Sequence, residues 1–166
     1  MSPGTADFNA RNLPTASMLT NKGKYGLKAM VHLAALRPGE LALVNDVALA
    51  NNLPKKFLDA ILGDLRNAGL VESRKGKGGG YRLARPPAEI TVGSIVRVLD
   101  GPLAPYPCAS RTRYRPCEDC DVETCQVRHM MLDVREAIAA VLDQRTLAEL
   151  RDLGAIEGFS EIRLPA

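Results

Sequence analysis

Between Leu70 and Arg85 the chain reads LVESRKGKGGGYRLAR, two short β-forming runs separated by a stretch that holds four glycines. A helix is excluded there, because each interior glycine costs a helix roughly 1 kcal/mol relative to alanine. Leu70-Val71 and Tyr81-Arg82-Leu83 supply the β residues, so a tight hairpin is predicted with Gly76, Gly78, Gly79 and Gly80 at its tip. Arg74, Lys75, Lys77, Arg82 and Arg85 crowd this hairpin, and cations on a thin projecting loop are placed to meet phosphates or a minor groove. The alternative use of a glycine-rich loop, cradling a nucleotide, needs Gly, four residues, then Gly-Lys-Ser/Thr, which is absent.

The segment before the hairpin gives it a context. Residues 54–68 place Phe57, Leu58, Ile61, Leu62 and Leu65 on one predicted helical stripe, with Lys55, Lys56, Asp59 and Arg66 on other faces and Gly69 at the C-terminal position. Pro54 suits the first position of that helix, and Asn52-Leu53-Pro54 makes a turn. Asn45 is expected to cap a short preceding helix over 45–50, so two short helices are tightly joined. Further upstream, residues 20–37 read as a helix with Leu27, Met30, Val31 and Ala34 on one face, stopped by Pro38-Gly39. His32 reads as a helix-surface or partly buried histidine, because no ligand partner sits at i+4. Downstream, Thr91 is expected to cap a helix bearing Val92, Ile95, Val96 and Leu99, which stops at Asp100-Gly101 and packs on the same core. The expected fold class is mainly α with a small β-hairpin wing: a winged helix-turn-helix DNA-binding domain plus a long C-terminal dimerisation helix.

Charge agrees with this reading. Residues 20–85 carry twelve Lys and Arg against five Asp and Glu, while the rest of the chain carries ten against fourteen, so the basic half is expected to face a polyanion. No apolar run approaches the roughly 20 residues that span a bilayer. The first residues lack the basic start and apolar core of a secretory signal, so a soluble, cytoplasmic protein is expected, with no membrane partner and no small-molecule substrate.

All four cysteines fall between Cys108 and Cys125, as Cys108-ASRTRYRP-Cys117-ED-Cys120-DVET-Cys125. In a reducing compartment such a cluster reads as ligands or redox groups, and four thiolates can close a zinc site or an iron-sulfur cluster. Cys117 and Cys120 form a CxxC, but no second CxxC stands at zinc-ribbon separation. The other readings are a redox dithiol and four free thiols. Residues 102–124 have little periodicity, and a long loop inside a compact domain is explained by a bound cofactor. From Cys125 to Gln144, Val127, Met131, Val134, Ile138 and Val141 are spaced four, three, four, three, the heptad seam of a pairing helix. Thr146 with Glu149 is expected to cap a further short turn.

Five segments follow: a flexible arm 1–18, a winged helix-turn-helix 19–101, a cysteine-rich sensor loop 102–124, a dimerisation helix 125–150 and a flexible tail 151–166.

LTNKGKYGLKAMVHLA, LPKKFLDAILGDLRNAGLVESRKGKGGGYRLARP, ITVGSIVRVLDG, the cysteine loop and VREAIAAVLDQRTLAEL together resemble the IscR/NsrR/RirA family of bacterial regulators. The resemblance covers Leu19 to Leu150, with the GGGYRLAR wing and the closing TLAEL its most specific parts. It implies a dimeric winged-helix transcription factor that senses iron, cluster status, nitric oxide or redox stress. It also implies an iron-sulfur cluster, 2Fe-2S or 4Fe-4S, on Cys108, Cys120 and Cys125, with Cys117, His129 or a partner-subunit residue as fourth ligand. The interval from Cys120 to Cys125 is one residue shorter than is usual in the family, and Arg128 stands where the IscR branch has a histidine. By the same resemblance Lys55, Lys56 and Asp59 begin the recognition helix, Arg74, Lys75 and Lys77 lie on the wing, and Thr20, Lys22 and Tyr25 approach the DNA backbone. The expected function is a homodimeric repressor of a two-fold symmetric operator, not an enzyme. A thiol-redox or zinc-responsive regulator of the same fold is the alternative.

Overall fold

The computed structural model describes residues 19–119 and 121–154. The first helix, α1 (Asn21–Ala34), begins at Thr20, whose Oγ1 accepts the Gly23 N–H at 3.3 Å. It buries Gly26, Ala29, Met30 and Leu33, while Leu27 and Val31 are half-buried at the edge of the core. The small residues let it approach its neighbours closely: a Cβ on Gly26 would lie 2.0 Å from Leu99 Cδ1. The helix ends at Ala34, three residues earlier than expected, well before Pro38.

Helix α2 (Val44–Ala50) buries Val47 and Ala48 and is followed by α3 (Lys55–Asn67). Two expected helix starts shift by a residue or two. Leu43, in extended conformation, takes the cap position, so Asn45 lies inside the first turn of α2; Pro54 likewise precedes α3 with φ −65° and ψ 118°. Phe57 is also placed differently from expectation. The buried arc of α3 is Leu58, Ile61, Leu62 and Leu65, and Phe57 is 61% exposed. Successive residues are rotated by about 100°, which carries Phe57 off an arc centred between Leu58 and Leu65.

Gly69, at φ +71°, ends α3. Its N–H donates to the Arg66 carbonyl at 2.9 Å and the Leu70 N–H donates to the Leu65 carbonyl at 2.9 Å, the paired bonds of a Schellman stop. The chain then forms β1 (Val71–Arg74) and β2 (Gly80–Leu83), antiparallel, pairing Val71 with Leu83 and Arg74 with Gly80. Ala42 adds a bridge to the outer side of β2 through two bonds with Tyr81, at 2.9 and 2.8 Å. Strand β2 is thus bonded on both of its edges.

Helix α4 (Val92–Leu99) starts as expected at Thr91, which accepts the Ser94 N–H at 3.2 Å, and buries Val92, Ile95, Val96 and Leu99. The following loop contains one 3-10 turn at Pro107–Ala109 and leads to α5 (Gln126–Gln144). Arg145 and Thr146 then run antiparallel to Ile90–Val92: the Val92 N–H donates to the Arg145 carbonyl at 2.8 Å and the Leu147 N–H to the Ile90 carbonyl at 2.7 Å.

This crossing redraws the expected boundaries. The long helix stops at Gln144, and α6 (Leu147–Leu153), opened by the Thr146–Glu149 capping box, packs back on α1. Leu147 is fully buried, and Arg151 Nη1 donates to the Ala34 carbonyl at 3.2 Å, so Arg151–Leu153 belong to the folded body instead of a tail. The expected arm 1–18 and the tail from 155 lie outside the described residues. Met30, Leu58, Ile61, Leu62, Leu65, Ile90, Ile95 and Leu147 form the centre of the core, each burial contributing roughly 1.5–3 kcal/mol. No helix among the described residues is long and apolar enough to cross a membrane.

Candidate functional site

Two regions gather the residues singled out by the sequence. The first is the cationic face of α3 and the wing. Lys55 and Lys56 open α3 in solvent, and Lys55 Nζ pairs with Asp59 Oδ2 at 2.9 Å, one turn on. Arg74, Lys75 and Lys77 are exposed along the hairpin tip. Arg82 is held by its cross-strand partner Glu72, whose Oε2 accepts from Nε at 3.1 Å and Nη2 at 2.9 Å. Among the described residues, Lys56, Arg74, Lys75 and Lys77 carry no ion pair, so their charges are available to an outside anion.

The start of α1 is tied to both neighbours. Lys22 Nζ pairs with Asp64 Oδ2 of α3 at 2.7 Å, Thr20 bonds to Asp100 at the end of α4, and Tyr25 is half-buried against the core. Opposite its buried arc, α3 shows Lys56, Ala60, Gly63 and Asn67, a face with little side-chain bulk beyond the lysine. Such a face can lie close to base edges in a groove about 12 Å wide.

The second region is the cysteine loop. Cys108, in the 3-10 turn, is 4% exposed, while Cys117 and Cys125 are half-buried. Burial pushes the Cys108 thiol above its ordinary pKa, and the adjacent Cys117, by hydrogen bonding and charge, pushes it further, with a smaller contribution from Cys125. These three cysteines therefore share one neighbourhood; Cys120 lies outside the described residues. A cleft of about 480 Å3 opens between Tyr106–Cys108 and Arg115–Asp119, with Cys108 and Cys117 on its walls.

Cys125 also starts α5, its Sγ accepting the Arg128 N–H at 3.4 Å. Arg128 then reaches back: Nε donates to the Cys108 carbonyl at 3.2 Å and Nη1 to the Val122 carbonyl at 3.4 Å. It fastens both ends of the loop to α5, a role no local sequence pattern announces because its partners are distant main-chain carbonyls. His129 is exposed on the first turn of α5. Among the described residues, no group of three or more His, Cys, Asp or Glu side chains is set to hold a metal ion.

Helix α5 buries little within its own chain, with Arg135 its one buried residue among those described. Of the expected seam, Val127, Val134 and Val141 are exposed, and Met131 and Ile138 are half-buried.

Comparison with known proteins follows the same line. The Rrf2 family model, described as an iron-dependent transcriptional regulator, matches residues 19–152. The chain belongs to the Rrf2 family. An rrf2-like protein of Rhodobacter capsulatus is 41% identical over 141 residues, covering 82% of this chain and 94% of that one. CymR of Bacillus subtilis, an HTH-type transcriptional regulator, is 36% identical over 132 residues, covering 80% of this chain and 88% of CymR. The structure of CymR, described as the global cysteine regulator of B. subtilis, superposes with a TM-score of 0.67, covering 81% of this chain and 96% of that one. T. potens IscR superposes with a TM-score of 0.65 at 30% identity, covering 87% of this chain and 92% of that one. The winged helix-turn-helix expected from the sequence is therefore the Rrf2 fold, and transcriptional regulation through DNA is the work of the Rrf2 family.

Proposed function

We propose that this Rrf2 protein is a homodimeric repressor that binds a two-fold symmetric DNA operator, with its affinity set by an iron-sulfur cluster on the cysteine loop. The observation that carries this reading is the loop's position. It leaves α4, which packs on α1 and α3, and enters α5, with Arg128 bridging its two ends. A change in the loop therefore bears on both the reader and the helix assigned to pairing.

The donor types suit such a group, although the described side chains are not gathered into a metal-holding set. Cys108, Cys117 and Cys125 supply soft sulfur ligands in one neighbourhood, and Cys120 belongs to the same stretch of sequence. Burial and the neighbouring Cys117 favour the neutral form of the Cys108 thiol, and a metal cation bound beside it would favour the thiolate. When bound, the cluster supplies metal–thiolate bonds that are sensitive to iron supply and to oxidation. Cys108 would hold it on the α4 side and Cys125 on the α5 side. On the DNA side, Lys56 enters the major groove with the bare face of α3, Arg74, Lys75 and Lys77 neutralise phosphates, and Thr20, Lys22 and Tyr25 set the α1 N-terminus against the backbone. Lys55, Asp59 and Arg82 contribute as ion-paired groups that reorganise on binding.

A second reading is favoured by one observation, the adjacency of the Cys108 and Cys117 thiols. In that reading the signal is zinc occupancy, or oxidation of the two thiols. The latter loses two protons and two electrons to an oxidant such as a peroxide and forms one S–S bond.

Anaerobic purification with iron, sulfide and zinc analysis, followed by DNA binding before and after cluster removal, decides between them. A brown protein with thiolate–iron absorption, and an operator affinity that changes when the cluster is lost, supports the first reading. Zinc, or a metal-free protein whose affinity responds to peroxide, supports the second. Absence of salt-sensitive, sequence-selective DNA binding in every state overturns both.

A further inference from the structure

A second pocket shares no lining residue with the cysteine cleft. Arg97 from α4, Arg111 and Thr112 from the loop and Arg135 from α5 line a cavity of about 190 Å3 that has no acidic side chain on its walls. Arg135 is only 9% exposed, and its Nε is a buried donor without a hydrogen-bond partner among the described residues. Buried guanidinium N–H groups are ordinarily all satisfied, because a donor withdrawn from water without a partner loses its solvation and regains nothing.

The carboxylates nearby are already committed. One oxygen of Glu136 accepts from both Arg111 Nη2 and Arg135 Nη2. Asp143 takes Arg97 Nη1 at 2.5 Å and Nη2 at 2.7 Å. Three guanidiniums against two carboxylates leave one positive charge, together with the unmet Nε and the Thr112 hydroxyl.

We propose that this pocket binds a small oxyanion beside Arg111 and Thr112, and that a turn of the Arg135 side chain brings its Nε, closed to solvent as it stands, against an anion oxygen. The planar fork of arginine matches tetrahedral oxyanions and carboxylates alike. Because the walls come from α4, the loop and α5, an anion here draws together the three elements between reader and pairing helix. This site uses none of the cysteines and stands apart from the cluster reading.

The test titrates the full-length protein with sulfate, phosphate or acetate, replacing chloride at constant ionic strength, by calorimetry and thermal unfolding. A saturable heat with a saturable rise in melting temperature is expected for at least one probe. Arg111→Ala weakens it by about tenfold or more, as expected for loss of a charge-assisted contact. Arg135→Gln removes it; if that variant does not fold, Arg111→Ala and a crystal soaked with selenate decide. An anomalous selenium peak beside Arg135 Nε supports the site, and competition between acetate and sulfate identifies which class of oxyanion it takes. The proposal is overturned by a non-saturating rise that is equal in wild type and Arg111→Ala, or by an ordered water on Nε with no selenium peak.

Discussion

Thr20 and Asp100 are joined twice: the Thr20 N–H donates to Asp100 Oδ2 at 2.9 Å, and Thr20 Oγ1 donates to Oδ1 at 2.5 Å. Thr20 caps α1 and Asp100 caps the C-terminus of α4, so the root of the cysteine loop is tied to the helix assigned to the DNA backbone. Asp100→Ala removes the acceptor from both donors and is expected to lower stability by about 1–2 kcal/mol, with Asp100→Asn losing less because one oxygen remains. Chemical denaturation of the three proteins checks the order. Equal stability of wild type and Asp100→Ala would show the pair to be energetically idle.

Leu58 and Phe57, neighbours in sequence, are expected to behave oppositely. Leu58 is fully buried and Phe57 is mostly in solvent. Leu58→Ala should cost about 2–5 kcal/mol through the cavity it leaves. Phe57→Ala should stay within about 0.5 kcal/mol, as surface substitutions do. A large loss on truncating Phe57 would return it to the core, where its sequence spacing had placed it.

The contrast between these two residues shows what the sequence could carry. The α3 stripe was legible because Leu58, Ile61, Leu62 and Leu65 repeat at helical spacing, but periodicity has no sharp edge, and an aromatic beside the stripe was absorbed into it. Thr91 and the Thr146–Glu149 box were readable as caps because their chemistry is local. The return of α6 to α1 was not, since it depends on main-chain bonds between Ile90–Val92 and Arg145–Leu147, more than fifty residues apart in sequence. At the site, the cationic wing was visible because its Lys, Arg and Gly residues are contiguous in sequence between two β-forming runs. The pairing of Arg82 with Glu72 follows from strand register, and the bridging by Arg128 from the loop's path, neither of which a linear pattern encodes.

That pairing separates the wing cations. If Lys77 contacts a phosphate, Lys77→Ala should weaken DNA binding about uniformly across sequences and lower the slope of log affinity against log salt by about 1. Arg82→Ala should change the slope less, because Arg82 already has Glu72 as its counter-charge. Fluorescence anisotropy across a salt series measures both. Identical slopes for wild type and Lys77→Ala would remove Lys77 from the interface.

The α5 seam makes a prediction about assembly. Val141 is 61% exposed in the single chain, so Val141→Glu should leave the monomer's fold intact. If the seam pairs two copies, the buried charge in the dimer shifts sedimentation toward the monomer and lowers operator affinity with it. A dimer that survives Val141→Glu and Val134→Glu together would place the interface elsewhere.

Arg97 and Asp143 join α4 to α5, and the hydrogen bonds from Arg97 hold the Asp143 carboxyl below its ordinary pKa, with the guanidinium charge adding to the effect. Fewer protons are then bound at this group in the folded state than in the unfolded one at acidic pH. The stability it contributes is complete above the unfolded carboxylate value of about 3.9 and is lost as pH falls through the lower folded value. Both side chains are about two-fifths exposed, so solvent screening keeps the contribution to about 1 kcal/mol or less. The difference in unfolding free energy between wild type and Asp143→Asn should therefore be flat from about pH 7 to pH 5 and shrink toward zero at more acidic pH. A difference that stays constant into strong acid would mean that the two helices are held together here by shape and not by this charge pair.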